Sequence, residues 1–327
     1  MRHQTHAIRR MGQAGFALTL AACLAAAESS AAPRLIGPGH YKGFCDSPFE
    51  PLVPATNGPG SYFYLDDIED GFFDPQGLDW ENLDVNYGSA QVDSVDEDDS
   101  SPPSSCVSDG TGAGGHSLWL NSPGEPHPAG GYAVRASALW DSLPNVMGIV
   151  LTDPDQSCVK PIDITISAYG ADSNAPPTGV FHAVVKGDNS FTGGTSDDYF
   201  VGLVDDAGLR GMTIAIDCNT GGDVEYDHVQ YGLVALSGST ACSNGIDDDM
   251  DGLVDTADLG CGNAGDDSEK KAGLACDDGI DNDGDRLVDL LDPQCTSTVG
   301  REGGCGIGFE LAGLALIFRR LRRIGSA

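Results

Sequence analysis

The sequence predicts a mainly β protein: an antiparallel β-sandwich of jelly-roll type, followed by two short disulfide-closed acidic repeats. Three observations carry this expectation. Short apolar or alternating runs are separated by turn-rich intervals, with no long amphipathic helical pattern. A stretch bracketed by cysteines, CSNGIDDDMDGLVDTADLGC from Cys242 to Cys261, returns as CDDGIDNDGDRLVDLLDPQC from Cys276 to Cys295. Hydrophobic residues make up 40% of the 327 residues and glycine is abundant at 45, a composition of a folded, loop-rich chain rather than a disordered acidic one. The formal net charge of -33 argues against nucleic acid and anionic membrane surfaces as partners, and for cations, neutral polymers or other proteins.

Residues 1–32 read as a secretory signal peptide. Arg2, Arg9 and Arg10 precede an apolar run from Gly15 to Ala27, and small residues follow up to Ala32. Leu20-Ala21-Ala22-Cys23 also fits the short lipoprotein pattern, in which Cys23 would be acylated; the apolar run continuing past Cys23 suits ordinary cleavage between Ala27 and Ala32 better.

Residues 33–239 form the expected sandwich. PIDITISAY (161–169) alternates as a half-buried strand does. AVRASALW (133–140), VMGIVLTD (146–153), VFHAVVKG (180–187), DYFVGLVD (198–205), LRGMTIAID (209–217) and YDHVQYGLVAL (226–236) read as further strands. Hairpin-sized gaps without helices point to an antiparallel two-sheet packing. The interval DSVDEDDSSPPSS (93–105) reads as an exposed loop, with Asp93, Asp96, Asp98 and Asp99 either solvated or contributing to a cation site.

Ten cysteines are present. With Cys23 in the signal segment and Cys305 near the C-terminus, eight remain in the body, none spaced Cys-x-x-Cys, so disulfides in an oxidising compartment fit better than zinc. Cys242 with Cys261 and Cys276 with Cys295 are the natural pairs, since each brackets one repeat. Cys45, Cys106, Cys158 and Cys218 leave three connectivities open.

The repeats carry the chemistry. With Asp247 as position one, oxygen ligands fall at one, three, five, seven, nine and twelve: Asp247, Asp249, Asp251, the Leu253 carbonyl, Asp255 and Asp258. The second copy offers Asp281, Asp283, Asp285, the Leu287 carbonyl, Asp289 and Asp292. Hard oxygens on alternate residues of a turning chain suit calcium, and without a cation the carboxylates repel, so folding of each repeat is expected to depend on metal. Position six is Gly252 in the first copy and Arg286 in the second, position twelve is Asp rather than Glu, and long flanking helices are missing. Residues 240–300 therefore read as two calcium-binding repeats (242–261 and 276–295), and the pattern resembles thrombospondin type 3-like repeats in their bacterial form with a closing cysteine.

The order of the pieces is similar to that of exosortase-sorted surface proteins of the PEP-CTERM and MYXO-CTERM kind. Tyr64-Leu65-Asp66-Asp67, Asp93-Ser94-Val95-Asp96 with Gly115-His116-Ser117-Leu118, DDYFVGLVDDAGLRGMTIAI and Glu225 to Gly232 carry the likeness in the sandwich. At the end, residues 301–327 hold Cys305, an apolar run from Gly306 to Phe318 and the cluster Arg319, Arg320, Arg322 and Arg323. Thirteen or so helical residues span roughly 20 Å, short of the ~30 Å hydrocarbon core, as in a sorting segment read by a membrane protease. The Pro-Glu-Pro of one such class is missing.

No Gly-x-Ser-x-Gly, His-Glu-x-x-His or phosphate-binding glycine loop is present. His116, His182 and His228 read as loop or strand-face residues, and Trp80, Trp119 and Trp140 as core, with a sugar-stacking platform as their other reading. The expectation is a non-enzymatic exported protein of the outer surface, its sandwich carried on a calcium-stiffened acidic stalk for structural or adhesive binding to polysaccharide or another surface protein. A carbohydrate-binding module and a hydrolase with unidentified carboxylates are the alternatives.

Overall fold

The computed structural model describes residues 32–66, 76–81, 86–87, 118–119, 132–152, 161–171, 175–187, 197–217 and 225–302. The signal segment, Cys23, Cys106, Cys158, Cys218, the 93–105 interval, His116 and the segment from Gly303 onward lie outside the described residues.

Twelve strands are described: β1 (Arg34–His40), β2 (Tyr62–Asp66), β3 (Leu78–Glu81), β4 (Asn86–Tyr87), β5 (Leu118–Trp119), β6 (Tyr132–Ala136), β7 (Val146–Thr152), β8 (Ile162–Tyr169), β9 (Gly179–Val185), β10 (Tyr199–Val204), β11 (Gly211–Asp217) and β12 (Glu225–Leu233). They form two antiparallel sheets. The seven-stranded sheet runs β1-β10-β7-β12-β5-β4, with β2 also on β12; the five-stranded sheet runs β3-β6-β11-β8-β9. No α-helix occurs among the described residues.

Strand alternation places the core. On β8, Ile162, Ile164, Ile166 and Ala168 face inward while Asp163 is exposed. They meet Met147, Ile149 and Leu151 of β7 and Val201 and Leu203 of β10 in the layer between the sheets. β7 and β10 are buried along their whole length, because their outer face is covered as well. There Val146, Val150 and Phe200 pack with Phe44 and Phe49 from the segment after β1. Gly148 makes the space: a Cβ on it would stand 2.4 Å from Cζ of Phe200.

One expectation changes at a strand end. The 133–140 strand stops at Ala136, and Trp140 (φ 48°) and Asp141 (φ 64°) form a left-handed turn closed by pairing of Leu139 with Ser142. Trp140 is consequently 44% exposed rather than core, with its ring 5.5 Å from that of Tyr62. His228 also has φ 43°, at a register shift between Asp227 and Gln230 on β12. It is wholly buried, and its Nδ1 lies 2.8 Å from the Tyr41 hydroxyl, which Gln230 Nε2 also reaches at 3.1 Å. His182 is on β9, 3.1 Å from Thr165 Oγ1.

The acidic segment is seated against the sandwich, in the same compact unit. Ile246 joins the outer core and Leu291 the layer between the sheets. Arg34 donates to the Ser239 carbonyl at 2.8 Å. A cavity of about 340 Å³ separates β1 and β9 from the repeats, lined by His40, His182, Met250, Lys270, Asp277 and Leu291 among others. The disulfides Cys242–Cys261 and Cys276–Cys295 are both formed, each across 19 positions. Cys45 is also disulfide-bonded.

Candidate metal centres

Both repeats fold the same way because left-handed residues recur at matching places. Positive φ is found at Gly245, Met250, Gly252 and Asp255, and at Gly279, Gly284, Arg286 and Asp289. These turns wind the chain around position one. Asp247 accepts the N–H groups of Asp251 and Gly252 at 3.2 and 2.8 Å; Asp281 accepts those of Gly284 and Arg286 at 2.6 and 2.8 Å. Position five repeats the device one step on, with Asp251 Oδ1 on the Leu253 N–H at 2.7 Å and Asp285 Oδ1 on the Leu287 N–H at 2.9 Å. The result is a carboxylate from each of Asp247, Asp249 and Asp251 within 4.8 Å of one another, and likewise from Asp281, Asp283 and Asp285.

Position nine turns away from these groups. Asp255 Oδ1 accepts the Gly245 N–H at 3.0 Å, and Asp289 accepts the Gly279 N–H at 2.9 Å while pairing with Lys270 Nζ at 2.6 Å. In the arrangement seen, these two carboxylates fasten the start of each loop. Position twelve is buried in both copies, Asp258 at 3% and Asp292 at 0% exposure. Each uses one oxygen on a following N–H, from Gly260 and from Gln294, and its Oδ2 is left buried with no hydrogen-bond partner.

Three acidic residues outside the expected spacing complete the arrangement. Glu269 accepts the N–H of Asp248 and of Asp255, each at 2.6 Å, and lies within 4.8 Å of Asp249 and Asp258. Glu302 repeats this in the second copy, accepting the N–H of Asn282 and, at 2.6 Å, of Asp289. Asp277, directly after Cys276, is 1% exposed and close enough to Asp249 to feel its charge, so the second repeat brings a side chain up to the first centre. A glutamate shortly after each closing cysteine was the available sequence signal for the first two; nothing in the spacing marks Asp277.

The electrostatics of the two centres differ. In the first, Asp249 Oδ1, Asp251 Oδ2, Asp258 Oδ2 and Asp277 Oδ2 are buried without partners. Burial, then backbone hydrogen bonds and neighbouring carboxylates, leave Asp247 pushed up to about 7 and Asp251 to about 6. Burial and the Asp249, Asp258 and Asp251 charges raise Asp277 to about 7. Burial chiefly lifts Glu269 to about 9. Such a group of oxygens is stable at neutral pH when a proton or a cation sits among them. The second centre is more open: for Asp281 desolvation is outweighed by the combined backbone N–H bonds of Arg286, Gly284, Asp283 and Asp285, which hold it below its ordinary value. Asp283 Oδ2 there accepts Gln294 Nε2 at 2.7 Å.

The donor set is all hard oxygen and flexible in number, which fits a calcium-sized ion better than a soft metal. Comparison of the chain with protein-family models, curated proteins and solved structures gives no match.

Proposed function

We propose that this is a non-enzymatic exported surface protein in which two disulfide-closed loops bind calcium and the loaded repeats hold a β-sandwich in place for structural or adhesive contacts. The observation that supports it most is the buried Oδ2 of Asp258 and of Asp292, left without a hydrogen-bond partner at the same position of both copies, with Asp258 within 4.8 Å of Asp249 and Glu269 and Asp292 within the same distance of Glu302. A carboxylate oxygen withdrawn from water and from every donor is costly unless a cation takes it. Asp247, Asp249, Asp251, Asp258 and Asp277 would hold the first ion; Asp281, Asp283, Asp285 and Asp292 the second. Extracellular calcium, at millimolar concentration, suits loop-built sites of this kind, and the thrombospondin type 3-like spacing and the signal-like N-terminus agree with such a setting. The C-terminal segment would then be the substrate of a membrane sorting protease.

Calorimetric titration of the chelator-treated full chain with calcium tests this. Two saturable events, each removed by one of Asp247→Asn and Asp281→Asn, are expected. Absence of binding at millimolar calcium would sink the reading.

A second reading, carbohydrate binding, is favoured by one observation: Trp140 is 44% exposed and set out on its turn beside Tyr62. A change in tryptophan fluorescence with neutral polysaccharide, lost in Trp140→Ala, would support it.

A further inference from the structure

The two loops share a backbone, and among the places where their sequences differ are two left-handed positions that one copy fills with glycine and the other does not; both of those non-glycine residues touch the sandwich. Positions four and six are left-handed in each copy: Met250 (φ 59°) and Gly252 (φ 92°) in the first, Gly284 (φ 88°) and Arg286 (φ 78°) in the second. Glycine takes this conformation without strain, so methionine at four and arginine at six are the disfavoured choices.

Met250 fills a notch in β1. A Cβ on Gly39 would stand 2.4 Å from Cβ of Met250 and 2.6 Å from its Sδ, at the place where β1 shifts register on β10 between Ile36 and Gly39. Beside the notch, the Gly37 N–H donates to the Asp248 carbonyl at 3.0 Å. Arg286 reaches β8, donating to the Pro161 carbonyl at 3.1 Å and pairing with the Asp163 carboxylate. Each residue is flanked in sequence by proposed ligands: Met250 by Asp249 and Asp251, Arg286 by Asp285 and the Leu287 carbonyl.

We infer that cation occupancy of the loops and seating of the repeats on the sandwich are a single coupled equilibrium. This rests on the cation-binding reading above. A cation that gathers the carboxylates also fixes the left-handed turns that present Met250 and Arg286. Without it, like charges separate, the turns relax, and both contacts with β1 and β8 are released together. Coupling of this kind is reciprocal, so seating in turn tightens cation binding. The interface is thus a cation-gated one, made by an internal partner: residues 240–300 on the β1 and β8 surface.

The Gly37 amide reports seating directly, since its acceptor belongs to the first loop. Hydrogen exchange of β1 is measured on the full chain in calcium and in chelator, with calorimetry in parallel. The same is done for the double variant Met250→Gly with Arg286→Gly, which keeps every carboxylate and relieves both left-handed side chains, and for Asp163→Asn, which lies outside the loops. Expected in the natural chain is exchange at Gly37 roughly ten-fold or more faster without calcium. In the double variant exchange should stay fast with calcium bound, with Asp163→Asn intermediate. Calcium binding accompanied by unchanged Gly37 exchange overturns the coupling and leaves the cation reading standing. No calcium binding at all overturns both.

Discussion

Glu269 holds the backbone N–H of Asp255 at 2.6 Å, and Glu302 holds that of Asp289 at the same distance. A carboxylate beyond the closing cysteine thus reaches back and pins position nine in each copy. Removing a buried acceptor strands two N–H groups, so Glu269→Ala is expected to lower stability by about 2–4 kcal/mol, at roughly 1–2 kcal/mol for each stranded donor. Urea denaturation in calcium checks this; an unchanged midpoint would mean that the pin is incidental.

Asp277 brings an acidic side chain of the second repeat beside the first centre, where burial and the Asp249 charge raise it. Asp277→Asn should weaken the first calcium event by about ten-fold, near 1.4 kcal/mol, and leave the second unaltered. Equal weakening of both events in calorimetry would indicate a general loss of fold instead.

Acid acts in opposite directions on two parts of the molecule. Asp247, Asp251 and Asp277 have folded values raised from 3.8 to about 7, 6 and 7, so the stability they contribute to the cation-free chain is fully present below 3.8 and is lost progressively as pH rises from there through 6–7. Calcium competes for the same oxygens, and its affinity should therefore fall as pH drops below 7. Thermal melts from pH 5 to 8, with calcium and with chelator, should show slopes of opposite sign.

His228 is held neutral by burial, its value pushed down to about 3. The unfolded chain protonates first, so this residue removes stability as pH falls from about 6.5 toward 3. His228→Asn, a side chain that tolerates φ 43°, should flatten that part of the profile. The Tyr41 hydroxyl and the Asp227 carboxylate, which accepts the His228 N–H at 2.6 Å, are the titratable neighbours that the substitution keeps.

Gly148→Ala would place a Cβ 2.4 Å from Cζ and 2.6 Å from Cε2 of Phe200 in the outer core. The ring is fully buried and has no room to turn, so a cost of about 1–3 kcal/mol is expected by chemical denaturation.

Much of the sandwich was legible because its central strands are either alternating, as β8 is, or continuously apolar, as β7 and β10 are. The strand β1 was not legible, since Gly37-Pro38-Gly39 reads as a turn; its neighbour β10 and Met250 turn that stretch into a notched edge strand. The turn at Trp140 was hidden by an apolar run continuing from Ala133. In the repeats the cysteine brackets located both disulfides, and the carboxylates spaced at one, three and five do lie within 4.8 Å of one another in each copy. Spacing did not reveal that position nine bonds to Gly245 and Gly279 or that Lys270 joins Asp289, because those contacts depend on left-handed backbone rather than on residue period. Arg286 stood out in sequence only as a missing glycine; its reason is Asp163, over a hundred positions earlier in the chain.

The seating of Asp248 on Gly37 also bears on how the chain matures. β1 is the first of the described strands and lies at the edge of its sheet, yet the strand beside it, β10, and the Asp248 carbonyl that accepts from it both come from much later in the chain. Until residues beyond Asp248 have been synthesised and delivered, a bare strand edge is open to pairing with other nascent copies. Truncated chains that end before the repeats should accordingly aggregate, even though all twelve described strands are present in them.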